Sequence, residues 1–153
     1  MAWGCISKYG FHDFILLDGK MNSDDYIQVL KDNLLPVISS YFHGQPFIFQ
    51  QDGASIHTAG KVKHFLKTTN IQVLEWPPQS RDFSIIEHVW HYLKEIMKKL
   101  PVAGSKQELW SHVEVAVQHM WTLELTQKIN ELYESLPNRM HAVITAHGGN
   151  TTY

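Results

Sequence analysis

The sequence has little cysteine: Cys5 is the single one among 153 residues. One cysteine cannot form an internal disulfide framework or a cysteine-rich zinc site. Long apolar runs are also missing, because no stretch approaches the roughly 20 residues that a membrane-spanning helix needs. The start has no basic region ahead of an apolar segment, so it does not resemble a secretory signal. These absences predict a soluble domain in an intracellular, reducing compartment.

An excess of positive charge is missing as well. The chain has 13 Lys and Arg against 15 Asp and Glu, a formal charge of −2 with its 10 His counted neutral. Domains that bind nucleic acid by themselves are usually basic, so any such binding here requires a local basic patch or a separate domain. The rest is ordinary, with 44% hydrophobic residues, and 1–153 is predicted to be one domain with a sizeable core.

The first segments predict a β-hairpin. Residues 2–7 and 11–17 have strand composition, and Lys8-Tyr9-Gly10 between them forms a tight turn. Asn22 then begins an amphipathic helix as a capping residue with acids in the first turn. Pro36 is expected to end or kink the first piece of that helix.

A strand–helix–strand unit is predicted next. Residues 47–51 form a short apolar run that predicts a buried strand, and Asp52 follows at its carboxyl end. A helix is expected from Thr58 to Lys67 and a second strand at 71–75, which together indicate a parallel pair with a right-handed crossover.

Helices are predicted for the rest of the chain. One runs over 84–100 after a proline turn, and Ser105 to Glu108 forms a capping box for the next. A further helix over 125–136 is expected to end at Pro137, with a last helical stretch over 139–146.

Glu87 lies away from the apolar stripe of the 84–100 helix. At 100° per residue it shares a face with His91, Lys94 and Lys98. This face suits contact with phosphate, although such a charged face is most often only solvated. Ser84 also offers a simpler role for Glu87, because Ser84-Ile85-Ile86-Glu87 fits a capping box.

Asp52 and His57 have simple structural interpretations too. Asp52 with Gly53 can begin a turn. His57 can be a polar residue at a helix start or can lie near phosphates. Asp82 is interpreted as an acid at a helix start rather than a further ligand.

Four motifs in order resemble the catalytic domain of the Tc/mariner superfamily of DDE transposases. Asp52 in the second motif resembles the family's second catalytic aspartate, and Glu87 in the third resembles its catalytic glutamate, with 34 residues between them. The motifs are Met1-Ala2-Trp3-Gly4-Cys5-Ile6-Ser7, Phe49-Gln50-Gln51-Asp52 with His57-Thr58-Ala59, Trp76-Pro77-Pro78-Gln79-Ser80 with Ile86-Glu87-His88-Val89-Trp90, and Ser135-Leu136-Pro137-Asn138-Arg139 through Tyr153.

The resemblance implies an α/β fold, a ribonuclease-H-like mixed sheet flanked by helices with extra helices at the C-terminus. It implies metal-dependent cleavage and strand transfer of DNA in the nucleus, with transposon ends and target DNA as partners. Asp52 and Glu87 are then ligands of Mg²⁺ or Mn²⁺ in a two-metal site. His57, His91, Lys94 and Lys98 are the expected DNA contacts.

The chain opens on the segment that resembles the family's second strand. The first, central strand and its catalytic aspartate are therefore expected to be absent from these residues, and the motifs have changed, with Gly53 where Asn is usual. We expect a domain incomplete at its N-terminus and inactive by itself. The alternative is a domesticated, non-catalytic protein that binds DNA or a transposase, or that forms a homo-oligomer through unpaired strand edges.

Overall fold

The computed structural model describes residues 1–75 and 83–147. The predicted turn at Trp76 to Ser80 and the predicted helix-start residue Asp82 lie outside these ranges. The elements are, in chain order, β1 Ala2–Ser7, β2 Gly10–Leu16, α1 Ser23–Val29, a π-helical turn Leu30–Leu34, α2 Leu35–Phe42, α3 Gly60–Thr68, α4 Ile85–Met97, α5 Lys106–Gln118 and α6 Leu123–Thr145. No helix within the described ranges is long and apolar enough to cross a membrane.

The chain divides into two compact units. The first consists of Met1–Cys5 and Asp13–Ser80, and the second of Ile6–His12 and Arg81–Tyr153. The open end of the β1–β2 hairpin therefore belongs to the first unit and its turn to the second. Of the two candidate acids, Asp52 lies in the first unit and Glu87 in the second.

The β1–β2 hairpin confirms its prediction to within a residue. Lys8 and Tyr9 form the turn, and Gly10 follows with φ +116°, a conformation that residues with a side chain rarely adopt. A Cβ atom at Gly10 would also come within 2.6 Å of the Thr126 hydroxyl in α6. The turn thus depends on glycine for both backbone conformation and space.

The first unit is built on a capped helix and one hydrophobic cluster. The Asn22 side chain accepts hydrogen bonds from the backbone of Asp24 and Asp25, and Asp25 accepts one from the Asn22 backbone, which closes a capping box. Burial of the cluster stabilises the unit through the apolar surface removed from water. Its buried residues are Cys5, Tyr26, Leu30, Leu34, Val37, Val62, Leu66 and Ile71.

The helical path continues past the predicted break at Pro36. The Leu35 amide donates to the Leu30 carbonyl across the π-helical turn, and α2 then begins with Pro36 in its first two positions. A proline costs little in a first helical turn, where its missing N–H has no required partner. The irregularity therefore lies before Pro36, in the wider turn.

The two predicted strands at 47–51 and 71–75 are wrong as extended elements. Only Phe49 and Val73 pair, in an isolated parallel bridge, where the Phe49 amide donates to the Gln72 carbonyl at 2.8 Å. Ile48 is 56% exposed, so the first segment is not a buried strand. Within the described residues no further strand pairs with either segment, and Pro46 has no N–H to offer. The parallel direction of the pair is confirmed.

Helix α3 begins at Gly60, two residues later than predicted. The amide and hydroxyl of Thr58 both bond to the Ala54 carbonyl, at 3.0 and 3.1 Å, which holds 54–58 in a turn. This turn precedes the helix and carries His57.

The second unit contains α4, α5 and α6. The buried residues of α4 are Ile85, Val89 and Leu93. The apolar spacing predicts a stripe along Ile86, Trp90, Leu93 and Met97, of which only Leu93 is fully buried, so the buried face is rotated toward Ile85. The Ser105 hydroxyl accepts from the Glu108 amide at 3.1 Å, the first half of the predicted capping box. The returning carboxylate bond reaches the Gly104 amide instead of the Ser105 amide.

Helix α6 is continuous through Pro137, so the predicted division into two helices is wrong. An interior proline removes one backbone hydrogen bond and costs an isolated helix about 3 kcal/mol. Ile129 before the proline and Arg139 after it are both buried. Packing on both sides of Pro137 offsets the local cost and keeps the helix intact.

Candidate active-site residues

Asp52 lies just after the Phe49–Val73 bridge, on a surface turn. Its Oδ1 atom accepts hydrogen bonds from the Ala54 amide at 3.0 Å and from His57 Nδ1 at 2.6 Å. The first bond is the local turn that Asp52 and Gly53 predict. The side chain is 69% exposed, and no described residue donates to Oδ2. The turn therefore uses one carboxylate oxygen and leaves the other to solvent.

His57 points its Nδ1 at Asp52, in the turn that precedes α3. A carboxylate only accepts hydrogen bonds here, so the proton lies on Nδ1. The His57 side chain is 19% exposed, which leaves Nε2 as the ring atom that can meet another ligand. A contact between His57 and a phosphate oxygen would use Nε2, which can donate only when it carries a proton in addition to the one on Nδ1.

A buried tyrosine contacts the His57 ring, and a glutamine contacts the His57 backbone. The Tyr26 ring lies against the His57 ring, with centroids 4.3 Å apart and planes at 32°. The Tyr26 hydroxyl donates to Gln51 Oε1 at 2.9 Å, and Gln51 Nε2 donates to the His57 carbonyl at 3.2 Å. Burial is the main reason that the pKa of Tyr26 lies far above its ordinary value; the Trp3 contact lowers it, and Asp52 and Cys5 add to the rise.

Sequence reasoning did not identify Tyr26 or Gln51 as part of this site. Tyr26 lies on the buried face of α1, where it is 1% exposed. One signal was available, because a phenol on a buried face needs a hydrogen-bond partner. The identity of that partner depends on tertiary structure.

Glu87 lies in the first turn of α4 and is exposed. The predicted capping box is wrong: Ser84 is the N-cap residue, but its side chain makes no capping hydrogen bond. The Glu87 amide bonds instead to the Ser84 carbonyl at 3.0 Å. None of the described residues donates a hydrogen bond to the Glu87 carboxylate, so it is available to a ligand.

The exposed face of α4 carries the residues that the helical spacing predicts. Glu87, His91, Lys94 and Lys98 are all exposed. The Glu95 carboxylate offsets part of the positive charge on this face. Lys98 Nζ lies 2.5 Å from Glu95 Oε1, and His91 Nε2 lies 4.0 Å from the same atom.

The ion pair with Lys98 changes which cation is available on this face. Its hydrogen bond holds the pKa of Glu95 below the ordinary value. Lys98 thus already has a carboxylate partner. Within the described part of the chain, Lys94 has none, so it is the better candidate for a phosphate contact.

His88 connects the start of α4 to α6. Arg139 is 6% exposed, and its Nη2 donates to His88 Nε2 at 3.2 Å. Burial, followed by the charges of Arg139 and His91, lowers the pKa of His88, while Glu87 acts in the opposite direction. A neutral His88 can accept the arginine bond, which fixes the helix turn that bears Glu87.

Carboxylate oxygens at exposed positions are chemically suited to Mg²⁺ or Mn²⁺. Asp52 and Glu87 fit this role because neither Asp52 Oδ2 nor the Glu87 carboxylate accepts a hydrogen bond from any described residue. Within residues 1–75 and 83–147, no group of three or more His, Cys, Asp or Glu side chains is placed to hold a metal ion. The described residues thus offer candidate ligands without a complete ligand set.

Comparison with known proteins decides the family. The family model described as DDE superfamily endonuclease matches residues 2–109, which include both Asp52 and Glu87. The chain belongs to the DDE superfamily endonucleases. The predicted resemblance to Tc/mariner DDE transposases is thereby confirmed at the level of the family.

Transposases are the curated relatives of this DDE endonuclease chain. It is 31% identical over 153 residues to the transposable element Tcb1 transposase of Caenorhabditis briggsae. It is 26% identical over 153 residues to the Tc1 transposase of Caenorhabditis elegans. Each match covers 100% of this chain and 54% of the relative. The chain therefore spans about half the length of these relatives.

Solved structures of the Mos1 transposase share the fold. A structure of its catalytic domain with raltegravir and Mg matches with a TM-score of 0.79 at 20% identity, over 94% of this chain and 73% of that one. A pre-cleavage Mos1 transpososome matches with a TM-score of 0.80 at 18% identity, over 95% of this chain and 43% of that one. The predicted ribonuclease-H-like α/β fold class is confirmed, with less regular sheet than expected.

Proposed function

We propose that this chain carries catalytic residues of a DNA transposase and that Asp52 and Glu87 are ligands of Mg²⁺ or Mn²⁺ in DNA cleavage and strand transfer. The match of residues 2–109 to the DDE endonucleases carries this proposal, because it includes both acids. Asp52 Oδ2 and the Glu87 carboxylate support it, because neither accepts a hydrogen bond from a residue that the structure describes. The substrates are transposon ends and target DNA, and the site of action is the nucleus.

The metal ions, when bound, neutralise charge on the entering and leaving oxygens of a phosphodiester. The chain's own residues hold and orient them. Asp52 offers one oxygen while its other oxygen is fixed by Ala54 and His57. Lys94 attracts the DNA backbone along α4, and His91 and Lys98 contribute less because Glu95 lies beside them.

A polypeptide of residues 1–153 alone is expected not to cleave DNA. The resemblance implies three catalytic acids, and two of them, Asp52 and Glu87, have counterparts in residues 1–153. Two ligands hold a divalent ion less tightly and with a less defined geometry than three. The test is nicking of supercoiled plasmid in Mg²⁺ and in Mn²⁺, where we expect no activity above a metal-free control.

Matched acid variants make the cleavage assay decisive. Asp52→Ala removes a proposed ligand, and Asp32→Ala makes the same change at an exposed acid that pairs with Gln28 in a helix. Nicking that Asp52→Ala abolishes and Asp32→Ala leaves intact would show that this polypeptide is active. Binding of Mn²⁺, followed by line broadening of nearby NMR signals, tests the ligand roles directly. Broadening near residue 52 should disappear in Asp52→Asn.

The alternative proposal is a non-catalytic protein that binds DNA, a transposase or a second copy of itself. The observation that favours it is the isolated parallel bridge between Phe49 and Val73, the one such pairing in the described ranges, beside which Ile48 is 56% exposed. Backbone groups without a strand partner are a template for pairing with another chain. Light scattering of the purified protein tests self-association. A stable monomer that binds neither DNA nor a transposase contradicts this alternative.

A further inference from the structure

We infer that Tyr26 is a positioning residue for Asp52 and acts through the His57 ring. We infer also that Gln51 holds Tyr26 and His57 in place. The inference rests on the proposed function, in which Asp52 binds a metal ion. It gives a role in the site to a buried side chain of α1 and to the residue just before Asp52.

The first step is the link between His57 and Asp52. An imidazole N–H lies in the plane of its ring, so the tilt of the ring decides where the accepting oxygen must lie. With Nδ1 at 2.6 Å from Asp52 Oδ1, a change of ring tilt moves or breaks this bond. The Asp52 carboxylate therefore keeps its orientation only while the His57 ring keeps its own.

The second step is the support of the His57 ring. Tyr26 covers it at a centroid distance of 4.3 Å with planes at 32°. Tyr26 itself cannot turn freely, because it is 1% exposed within the core of the first unit. The packed core thus restrains the exposed Asp52 carboxylate through the contacts from Tyr26 to His57 and from His57 to Asp52.

The third step is Gln51, which uses both ends of its amide. Its oxygen accepts from the Tyr26 hydroxyl at 2.9 Å, and its nitrogen donates to the His57 carbonyl at 3.2 Å. Gln51 thus holds the backbone of His57 while Tyr26 holds the ring. The three residues form a closed set of contacts, which restrains His57 more than any one contact does.

This arrangement favours a metal site because the ligand is oriented before the metal arrives. Oδ1 is committed to Ala54 and His57, so Oδ2 is presented in one direction. A ligand that is already ordered loses less conformational entropy on binding. Groups that orient a metal ligand typically contribute 10- to 100-fold to metal affinity.

Four variants separate positioning from simple core packing. Tyr26→Leu removes the ring, and Tyr26→Phe keeps the ring without the hydroxyl. Gln51→Met removes both hydrogen bonds of the side-chain amide while keeping a side chain of similar length. Tyr41→Leu is the matched control, because it makes the same change at a tyrosine of α2 that is 44% exposed. Each variant is studied at a temperature where circular dichroism shows it folded.

Two measurements on the full chain are needed. Imidazole NMR in the absence of metal reports the Nδ1-protonated tautomer of His57 and the ring-current shift that Tyr26 causes. Titration with Mn²⁺, followed by line broadening of His57 and Ala54, reports the affinity at Asp52, with Asp52→Asn as the reference for its loss.

We expect Tyr26→Leu to abolish the ring-current shift at His57 and to weaken Mn²⁺ binding about 10-fold. Gln51→Met should weaken it by a similar factor. Tyr26→Phe should keep the ring-current shift and weaken Mn²⁺ binding by only about 3-fold, below that range, because the ring that supports His57 remains. Tyr41→Leu should leave both measurements unchanged.

Two different failures can be told apart. Absence of Asp52-dependent broadening in the wild-type chain contradicts the metal-ligand role and therefore the proposed function. Normal Mn²⁺ affinity in folded Tyr26→Leu contradicts the positioning role alone. Should Tyr26→Leu not fold, Gln51→Met decides, and unchanged Mn²⁺ affinity in that variant overturns the inference.

Discussion

Asp52 and Glu87 have the same carboxylate chemistry but very different surroundings. Asp52 lies on a surface turn, yet its Oδ1 takes two hydrogen bonds and is connected through His57 to the buried Tyr26. Glu87 lies on a regular helix, yet none of the described residues donates to its carboxylate. The acid on the irregular segment is thus the one whose side chain is better restrained.

The difference shows that backbone order and side-chain order are separate properties of a ligand. Helix α4 fixes where the Cα atom of Glu87 lies, and the His88–Arg139 contact strengthens that turn. In the proposed metal site, the rotamers of Glu87 would be fixed only on binding, which costs about 0.5 to 1.5 kcal/mol for such a side chain. The Asp52 side chain loses most of its conformational freedom during folding, so less entropy remains to be lost on binding.

The largest expected effect comes from the core that supports Asp52. Leu30→Ala empties space at a residue that is 0% exposed and should lower the free energy of unfolding by about 2 to 5 kcal/mol. Leu74→Ala is the matched control, since the same change at 38% exposure should cost under about 1 kcal/mol. Urea denaturation measures both. Equal losses in the two variants would contradict the burial difference.

Cys5 in that same core predicts a loss of stability at high pH. Burial, with a smaller contribution from Asp13, raises the pKa of the Cys5 thiol from 9.0 to about 12. The neutral thiol is favoured in the folded state, so its stabilising effect is complete below pH 9 and decreases as the pH rises toward 12. Each pH unit in this window should remove about 1.4 kcal/mol.

The control for this pH effect is Cys5→Ala, which removes the thiol and should have a flatter dependence between pH 9 and 10.5. Urea midpoints at several pH values give the difference between the two slopes. Identical slopes would show that the thiol ionises as easily in the folded chain as in the unfolded one.

The smallest expected effect compares the starts of the two helices. Asn22→Ala removes a capping box from α1 and should cost about 1 kcal/mol. Ser84→Ala removes a hydroxyl that makes no capping bond in α4 and should change stability by under about 0.5 kcal/mol. Thermal or urea unfolding measures both variants. A loss of 1 kcal/mol in Ser84→Ala would mean that Glu87 takes part in a capping box after all.

Local patterns predicted much of the fold correctly. The hairpin followed from strand composition around Lys8 and Tyr9, and the Asn22 cap from its own chemistry. The apolar spacing of the 84–100 helix correctly predicted the exposed face that carries Glu87, although the buried face centres on Ile85 and Val89 rather than on Ile86 and Trp90. These features depend on neighbours within a few residues, which the sequence displays directly.

Features that depend on distant partners were predicted less well. The run at 47–51 has strand composition, but a strand also needs a paired neighbour, and only Phe49 has one among the described residues. Pro137 indicated a helix end, but burial of Ile129 and Arg139 keeps α6 continuous. The roles of Tyr26 and Gln51 in the site depend on contacts between segments far apart in the chain.

The Tyr26–Gln51 hydrogen bond joins residues 25 positions apart, which has a consequence for the order of events in folding. Closing such a loop costs chain entropy before any contact repays it. The local turn at Asp52 can form early, since Ala54 is only two residues away. The final direction of the Asp52 carboxylate is expected to be set later, when the first unit packs, so a partly folded chain would carry this acid without the orientation that the proposed metal-ligand role requires.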